Sequence, residues 1–456
     1  MTLSTLVAEE QEVLEHYLRA FGALERNGAA RDGSWVAALR RSAMARFSRL
    51  GFPTARRGNE EWKYTDIRPI ARRPFQLPLP PGSPAVGAAE LAAFALGPTG
   101  GSRLVFVDGR YQEQLSSRPS LPGVSVLSLA EALTSGADTV QEHLGRYADC
   151  DTHAFTALNT AFLHDGAFVH IPQGTTLDKP VHLLFLSTAH AQDTATHPRV
   201  LIVAGEGARA TVVETYGGPS GADYFTNAVA EVVVGPGADL TYYKEQRQGE
   251  RAFHVTTTQV VVGREATFSS FNLDLGGALA RNNLNVAMDD ERGACALRGL
   301  YLMGGAQHVD NQVIIEHARP YTTSRELYKG VLNGRSRAVF HGSIIVHKGA
   351  RKVDAEQVDK NLLLSDEAEA DTKPAFWIYC DDVKCRHGAA CGQMDENALF
   401  YLRSRGLTEP AARRLLTRAF VSELVEGIAS ETLRDRVDGL VEARLSSWLG
   451  DDEAVG

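Results

Sequence analysis

At 456 residues, 44% hydrophobic and 23% charged, the chain has the composition of a globular protein with room for two or three domains. Its formal charge of −9 gives no electrostatic support to generic nucleic-acid or anionic-membrane binding. No apolar run reaches the roughly 20 residues that span a bilayer, and five cysteines, a low and odd number, argue against a disulfide framework and for a reducing, cytoplasmic setting.

Residues 1–70 read as a helical region. In "STLVAEEQEVLEHYLRAFGALE" the residues Leu6, Val13, Leu14, Tyr17, Leu18 and Phe21 recur at helical spacing, with Ser4 as the expected N-cap and "RNG" as the stop. The acidic, amphipathic start lacks the basic-then-apolar pattern of a secretory signal. A second helix, "SWVAALRRSAMARFSRL", stops at Gly51. Residues 71–102 form a connecting segment. Pro78, Pro80, Pro81 and Pro84 within it exclude a central strand or a helix interior, which makes it a linker.

From 103 to 392 the texture is β. Short runs such as "RLVFVD", "VHLLFL", "RVLIVA", "AVAEVVVG" and "SIIVHKGA" alternate with glycine-containing turns, and helical periodicity is scarce. The runs also echo one another: "GEGARATVV" at Gly207 returns as "GPGADLTYY" at Gly237. A large sandwich or barrel shares this texture, but the loose repeat favours a β-solenoid of stacked short-stranded coils. Residues 393–456 return to helix, with Asp395, Thr408 and Pro410 as start signals and Gly406 as a stop.

Few motifs carry chemistry. "GEGARA" fits G-x-G-x-x-A, but a strand-like "TVVETY" follows it where a dinucleotide site needs a helix. No P-loop, H-E-x-x-H or G-x-S-x-G occurs, so this chain is not expected to bind ATP in a P-loop itself. What stands out is "YCDDVKCRHGAACGQMDE", which holds Cys380, Cys385, His387 and Cys391. Thiolate and imidazole suit iron, zinc or iron–sulfur chemistry. The C-x4-C-x-H-x3-C spacing is not that of paired C-x2–4-C zinc ligands. On a strand, Cys385 and His387 share a side, whereas Cys380 would face away from Cys385 if the strand ran unbroken. The expectation is an open two-residue site rather than a closed cage. The duller alternative is that these cysteines are small apolar residues of the last coil.

The run from Asn361 to Leu407 resembles the signature of the SufB/SufD family of iron–sulfur cluster assembly proteins. Its segment "DTKPAFWIYCDDVKCRHGAACGQMDENALFYLRSRG" is most like the SufD form. The match continues upstream to His308, and "NEEWKYTDI" at Trp62 is similar to an amino-terminal motif of SufD. The segment "LSDEAEADTKP" has no cysteine where SufB-type chains carry one, and Cys391 stands where many members have valine.

The resemblance implies a right-handed parallel β-helix flanked by helical ends. It implies a non-catalytic scaffold working with a SufB-like subunit and a SufC-like ABC-type ATPase, which hydrolyses the ATP. A transient iron–sulfur cluster or iron would be shared with SufB through His387, with Cys385 beside it; a flavin bound to the complex is a further implied possibility. It also implies ATPase docking on "ENALFYLRSRGLTEPAARRLLTRAF". Phe400, Tyr401, Arg403 and Arg405 are the interface residues expected there, with Phe400 also expected to pack on the solenoid end. The other readings are a self-standing homodimeric metal-binding scaffold paired through a strand edge and a carbohydrate-active β-helix enzyme. The second needs an export signal and clustered acids, and the acids here are scattered.

Overall fold

The computed structural model describes residues 3–28, 34–54, 59–78, 86–97, 101–119, 121–188 and 192–450. Among these, the strands form two sheets that wind about one interior. Sheet one holds β1 (Arg103–Val107), β2 (Arg110–Tyr111), β5 (Val181–Leu186), β8 (Arg209–Gly217), β10 (Asp239–Arg247), β12 (Thr267–Asp274), β14 (Ala294–Met303), β16 (Thr323–Leu332), β18 (Asp354–Leu363) and β20 (Lys384–Gln393). Sheet two holds β3 (Ser125–Ser128), β4 (Gly166–Ile171), β6 (Thr194–Thr196), β7 (Arg199–Ala204), β9 (Tyr224–Val234), β11 (Phe253–Val262), β13 (Leu279–Met288), β15 (His308–His317), β17 (Arg337–Val346) and β19 (Glu369–Ile378). From β7 onward the chain alternates between the sheets, and each strand pairs in parallel with the strand one coil away. This is the β-solenoid the repeat predicts.

The repeat length is set by what stacks. Ala210, Leu240, Phe268, Cys295, Ser324, Ala355 and Cys385 stand over one another in register. Inward positions alternate with outward ones because the strand period is two. Val212, Leu240, Phe268, Leu297, Val313 and Ile344 fill the interior. The turns obey the same stacking. Gly207 and Gly237 sit at φ +65° and +63°, a conformation glycine adopts without a Cβ penalty. Each N–H donates to the next turn's carbonyl at 2.8 Å, Gly207 to Pro236 and Gly237 to Arg264. "GEGARA" is therefore a solenoid turn that runs directly into β8 at Arg209.

Helices cover the outer faces. α1 (Leu3–Gly28), α2 (Ser34–Leu50) and α7 (Ala154–Ala161) join an apolar cluster with Phe225, Phe253, Val255 and Leu279 of sheet two. α9 (Glu409–Glu426) and α10 (Glu431–Leu449) lay Val421, Leu424, Val437 and Val441 on Val213, Phe271, Leu300 and Val331 of sheet one. Arg436 ties α10 down, donating to Glu245 at 2.7 and 2.8 Å and to the carbonyls of Phe94 and Ala95. "NEEWKYTDI" is a clasp between the N-terminal region and sheet two. Buried Trp62 lies 3.6 Å under the Arg281 guanidinium, which bonds Asp310 and Glu61, while Thr65 donates to Asp310.

Several expectations needed correction. α1 begins at Leu3, so Ser4 lies within its first turn and is not the N-cap. The connecting segment contains a helix, α4 (Ala88–Phe94); α3 (Arg68–Ala71) straddles its start, and Pro80, Pro81 and Pro84 lie outside the described residues. The span 103–392 also contains α5 (Leu129–Ser135), α6 (Asp138–His143) and α7, short helices whose apolar residues pack on sheet two or on α2. Three other helix ends match the expectation. Gly51 is left-handed at φ +65°, Asp395 accepts from the Asn397 and Ala398 amides, and Thr408 accepts from Ala411. No helix among the described residues is long and apolar enough to cross a membrane.

Candidate functional site

The two ends of the solenoid differ. At the first end β1 carries the antiparallel β2, and β4 carries the antiparallel β3. At the last end β19 pairs only with β17, and β20 pairs only with β18. The outer edges of both final strands carry no strand partner among the described residues. Trp377 and Tyr379, at the close of β19, are 56% and 63% exposed.

His387, Cys385 and Cys391 occupy β20 with the parity of its inward side. Their register partners are Gln357, Ala355 and Asn361, all buried in the interior. Successive same-side residues on a strand are about 6.6 Å apart, so Cys385 and His387 stand side by side at the open rim. The His387 ring lies 4.4 Å from the Phe376 ring of β19. That contact leans the imidazole on an apolar face and leaves the residue exposed. Burial, with a smaller push from Asp354, raises the Cys385 thiol above its ordinary range. Burial and Asp359 do the same for Cys391. A raised thiol is protonated at neutral pH, so a metal that binds it must displace a proton.

Cys380 corrects the parity argument. The strand does not run unbroken: β19 ends at Ile378, the chain turns, and β20 begins at Lys384 on the other sheet. Cys380 lies in that turn and, like Cys385, packs against the main interior cluster. None of the five cysteines is disulfide-bonded, and no three His, Cys, Asp or Glu side chains converge as a metal cage among the described residues.

The helix after β20, α8 (Glu396–Ser404), carries the residues expected to meet the ATPase. Phe400 is 75% exposed and does not pack on the solenoid end; Leu399 takes that role, clustered with Met394 and Ala412. An amphipathic helix has one apolar stripe, and Leu399 occupies it. Tyr401 is also exposed, with the Arg405 guanidinium 5.2 Å from its ring, and Arg403 pairs with Glu409 at 3.5 Å. These aromatics form an uncovered patch beside the open end.

Sequence reasoning missed the polar interior beneath the rim. Glu326, Gln357, Asp359 and Asn361 are all at most 5% exposed. Burial pushes the Glu326 carboxyl up to about 8 and that of Asp359 up to about 6. The signal was their strand parity, which matches that of Ala355 and Ser324; a polar side chain at such a position reads as exposed until the register is known.

Residues 185–420 match the family described as SUF system FeS cluster assembly, SufBD core domain, and residues 10–183 match the SufBD protein N-terminal region. An iron-sulfur cluster assembly SufBD family protein of Synechocystis sp. is 32% identical over 395 residues, covering 85% of this chain and 86% of its own. The iron-sulfur cluster assembly protein SufD of Escherichia coli is 32% identical over 399 residues, covering 87% of this chain and 90% of its own. A SufBD family protein of Mycobacterium tuberculosis is 30% identical over 300 residues, covering 64% and 73% respectively. A β-solenoid between two helical regions, with both family regions matched end to end, places this chain in the SufBD family of iron–sulfur cluster assembly proteins.

Proposed function

We propose that this chain is a non-catalytic scaffold whose open solenoid end is one wall of a shared assembly site. A SufB-like subunit forms the other wall, and nascent clusters are built between them. The observation that carries this reading is that the outer edges of the two final strands lack a strand partner among the described residues, with Cys385 and His387 on one of them. An exposed strand edge is a ready template for another chain, and the exposed Trp377 and Tyr379 are of the residue types enriched in interfaces. Neutral imidazole ligates iron without first losing a proton, whereas Cys385 has to lose one. Two ligands from one wall hold a cluster too loosely to keep it, which suits building and release.

The exposed Phe400 and Tyr401 on α8 are the proposed docking surface for a SufC-like ATPase. ATP-driven approach of two such ATPases would act through α8 on the strands just before it. The test is His387→Ala in a complex reconstituted anaerobically with SufB-like and SufC-like partners. The expected result is a fall in cluster yield with complex formation intact; undiminished yield and unchanged maturation in cells would overturn the role given to His387. A second copy of this chain on the same edge is the competing occupant. Sedimentation of the chain alone and with a SufB-like partner separates the two.

A further inference from the structure

Three side chains of β20, Cys385, His387 and Cys391, have inward parity, and one of them stands over an unspent acceptor. The register partner of Cys385 is Ala355, which carries no polar side-chain group, and that of Cys391 is Asn361. Both ends of the Asn361 amide are used. Its Oδ1 accepts from Tyr301 Oη at 2.7 Å, and its Nδ2 donates to Asp359 Oδ2 at 2.8 Å. The partner of His387 is Gln357 of β18, which is fully buried. Its Nε2 donates to Glu326 Oε2 at 2.7 Å, while its Oε1 is buried with no hydrogen-bond partner among the described residues. A buried acceptor left unspent costs stability, and such groups call for a donor.

The surroundings hold this glutamine and the ring above it. Gly342 of β17 makes the room, since a Cβ there would fall 1.8 Å from Gln357 Nε2. Glu326 is pushed up to about 8, mainly by burial, so near neutral pH the anchor is a neutral acid. Phe376 of β19, itself packed against the main interior cluster, lies 4.4 Å from the His387 ring at 34°. That contact takes up a face of the imidazole, and the two nitrogens lie on its edge. Adjacent strands are about 4.8 Å apart, so a lean of about 2 Å brings a ring N–H to hydrogen-bond length of the Gln357 carbonyl.

We propose that Gln357 is the positioning residue of His387: its Oε1 accepts the N–H of one ring nitrogen and so presents the other, bare nitrogen to incoming iron. The proposal rests on the assembly-site reading for its use. Histidines that bind metals commonly donate their second ring N–H to an oxygen acceptor, which fixes the tautomer and the ring orientation and makes the bound nitrogen more basic. Gln357 supplies that acceptor without adding a charge. Phe376 and Gln357 then hold the ring by face and by edge, so a ligand on an open rim is offered in one orientation. Cys385 and Cys391 have no such acceptor at their register positions, which sets His387 apart from its neighbours on the strand.

The experiment has two arms. The first is ring-nitrogen NMR of the full chain carrying isotope-labelled histidine, at about pH 8, where an imidazole is neutral. His387 is assigned by the signal lost in His387→Ala. The expected result is one tautomer in the wild type, a mixture in Gln357→Met, and one tautomer again in Gln357→Glu, which keeps an oxygen acceptor and a hydrogen-bonded link to Glu326. The second arm is cluster yield in the complex reconstituted anaerobically with SufB-like and SufC-like partners. Gln357→Met should lower the yield on the order of tenfold and add nothing once His387 is alanine. A tautomer mixture in the wild type, an unchanged tautomer in Gln357→Met, or losses that add in the double variant would overturn the positioning role and leave the His387→Ala result standing. The wild-type tautomer needs no substitution, so the proposal can be overturned even where a variant does not fold. Undiminished cluster yield in His387→Ala would overturn the assembly site and leave the NMR result standing.

Discussion

The two ends of the solenoid are built from the same kind of coil, yet they are finished in opposite ways. At the first end β5 is buried along its whole length, α5–α7 pack nearby, and β2 and β3 close the sheets with antiparallel pairs. Glu231 and Arg199 meet there at 2.6 Å with both side chains fully buried, and Glu231 also accepts from the backbone amides of Gly145, Tyr147 and Ala148. At the last end β20 has no fully buried residue, and its charges sit in an outward ladder of Arg386, Glu356 and Arg325. One end is specified by burial and the other by the strand edges it leaves unpaired. Burial is concentrated away from the strands that carry His387.

That contrast can be broken by measurement. Glu231→Ala strands a buried guanidinium, and we predict a loss of about 3–5 kcal/mol in urea unfolding; a loss under about 1 kcal/mol would deny the first end its structural weight. His182, on β5, is held down to about 3, first by burial and then by Arg436 and Arg103. Its folded value is below its unfolded one, so its stabilisation is present above about pH 6.5 and is lost as pH falls toward about 3. His182→Gln should flatten the acid limb of stability against pH by up to roughly 1.4 kcal/mol per pH unit; an unchanged slope would refute the assignment. Asp395→Ala removes the cap of α8 and should cost about 1 kcal/mol, with faster amide exchange confined to that helix. Trp377→Ala should leave unfolding within about 0.5 kcal/mol of wild type while weakening capture of a SufB-like partner; a large loss of stability would show that the last end is not free.

The repeat, the helix caps and the hand-over at Asp395 were readable because each rests on local chemistry: stacked turns, an acceptor for free amides, a left-handed glycine. The course of the helices was not. α9 and α10 return along sheet one because the outward Leu300, Leu302 and Val331 are apolar. On one sequence that makes both sides of a strand apolar, so period two is lost and inward cannot be told from outward. α5–α7 were hidden for another reason: their segments are too brief for a helical period to show. At the site, the pairing of Cys385 with His387 followed from parity alone. The place of Cys380 did not, because parity ends where a strand ends, and the turn after Ile378 is not marked by glycine or proline. Phe400, expected to pack on the solenoid end, is exposed, and its neighbour Leu399 holds that position.

β20 runs ten residues, Lys384 to Gln393, with one side bonded and the other bare. On the bare side, free amide and carbonyl groups recur every second residue, about 6.6 Å apart. Such an edge is a ruler. A chain laid against it must be extended, must match that spacing for up to about five repeats, and must arrive with its own edge equally bare. Whatever closes the end is therefore selected by length and backbone shape before any side chain is read. A slip by one residue would turn His387 toward a different neighbour while leaving the hydrogen bonds unchanged in number.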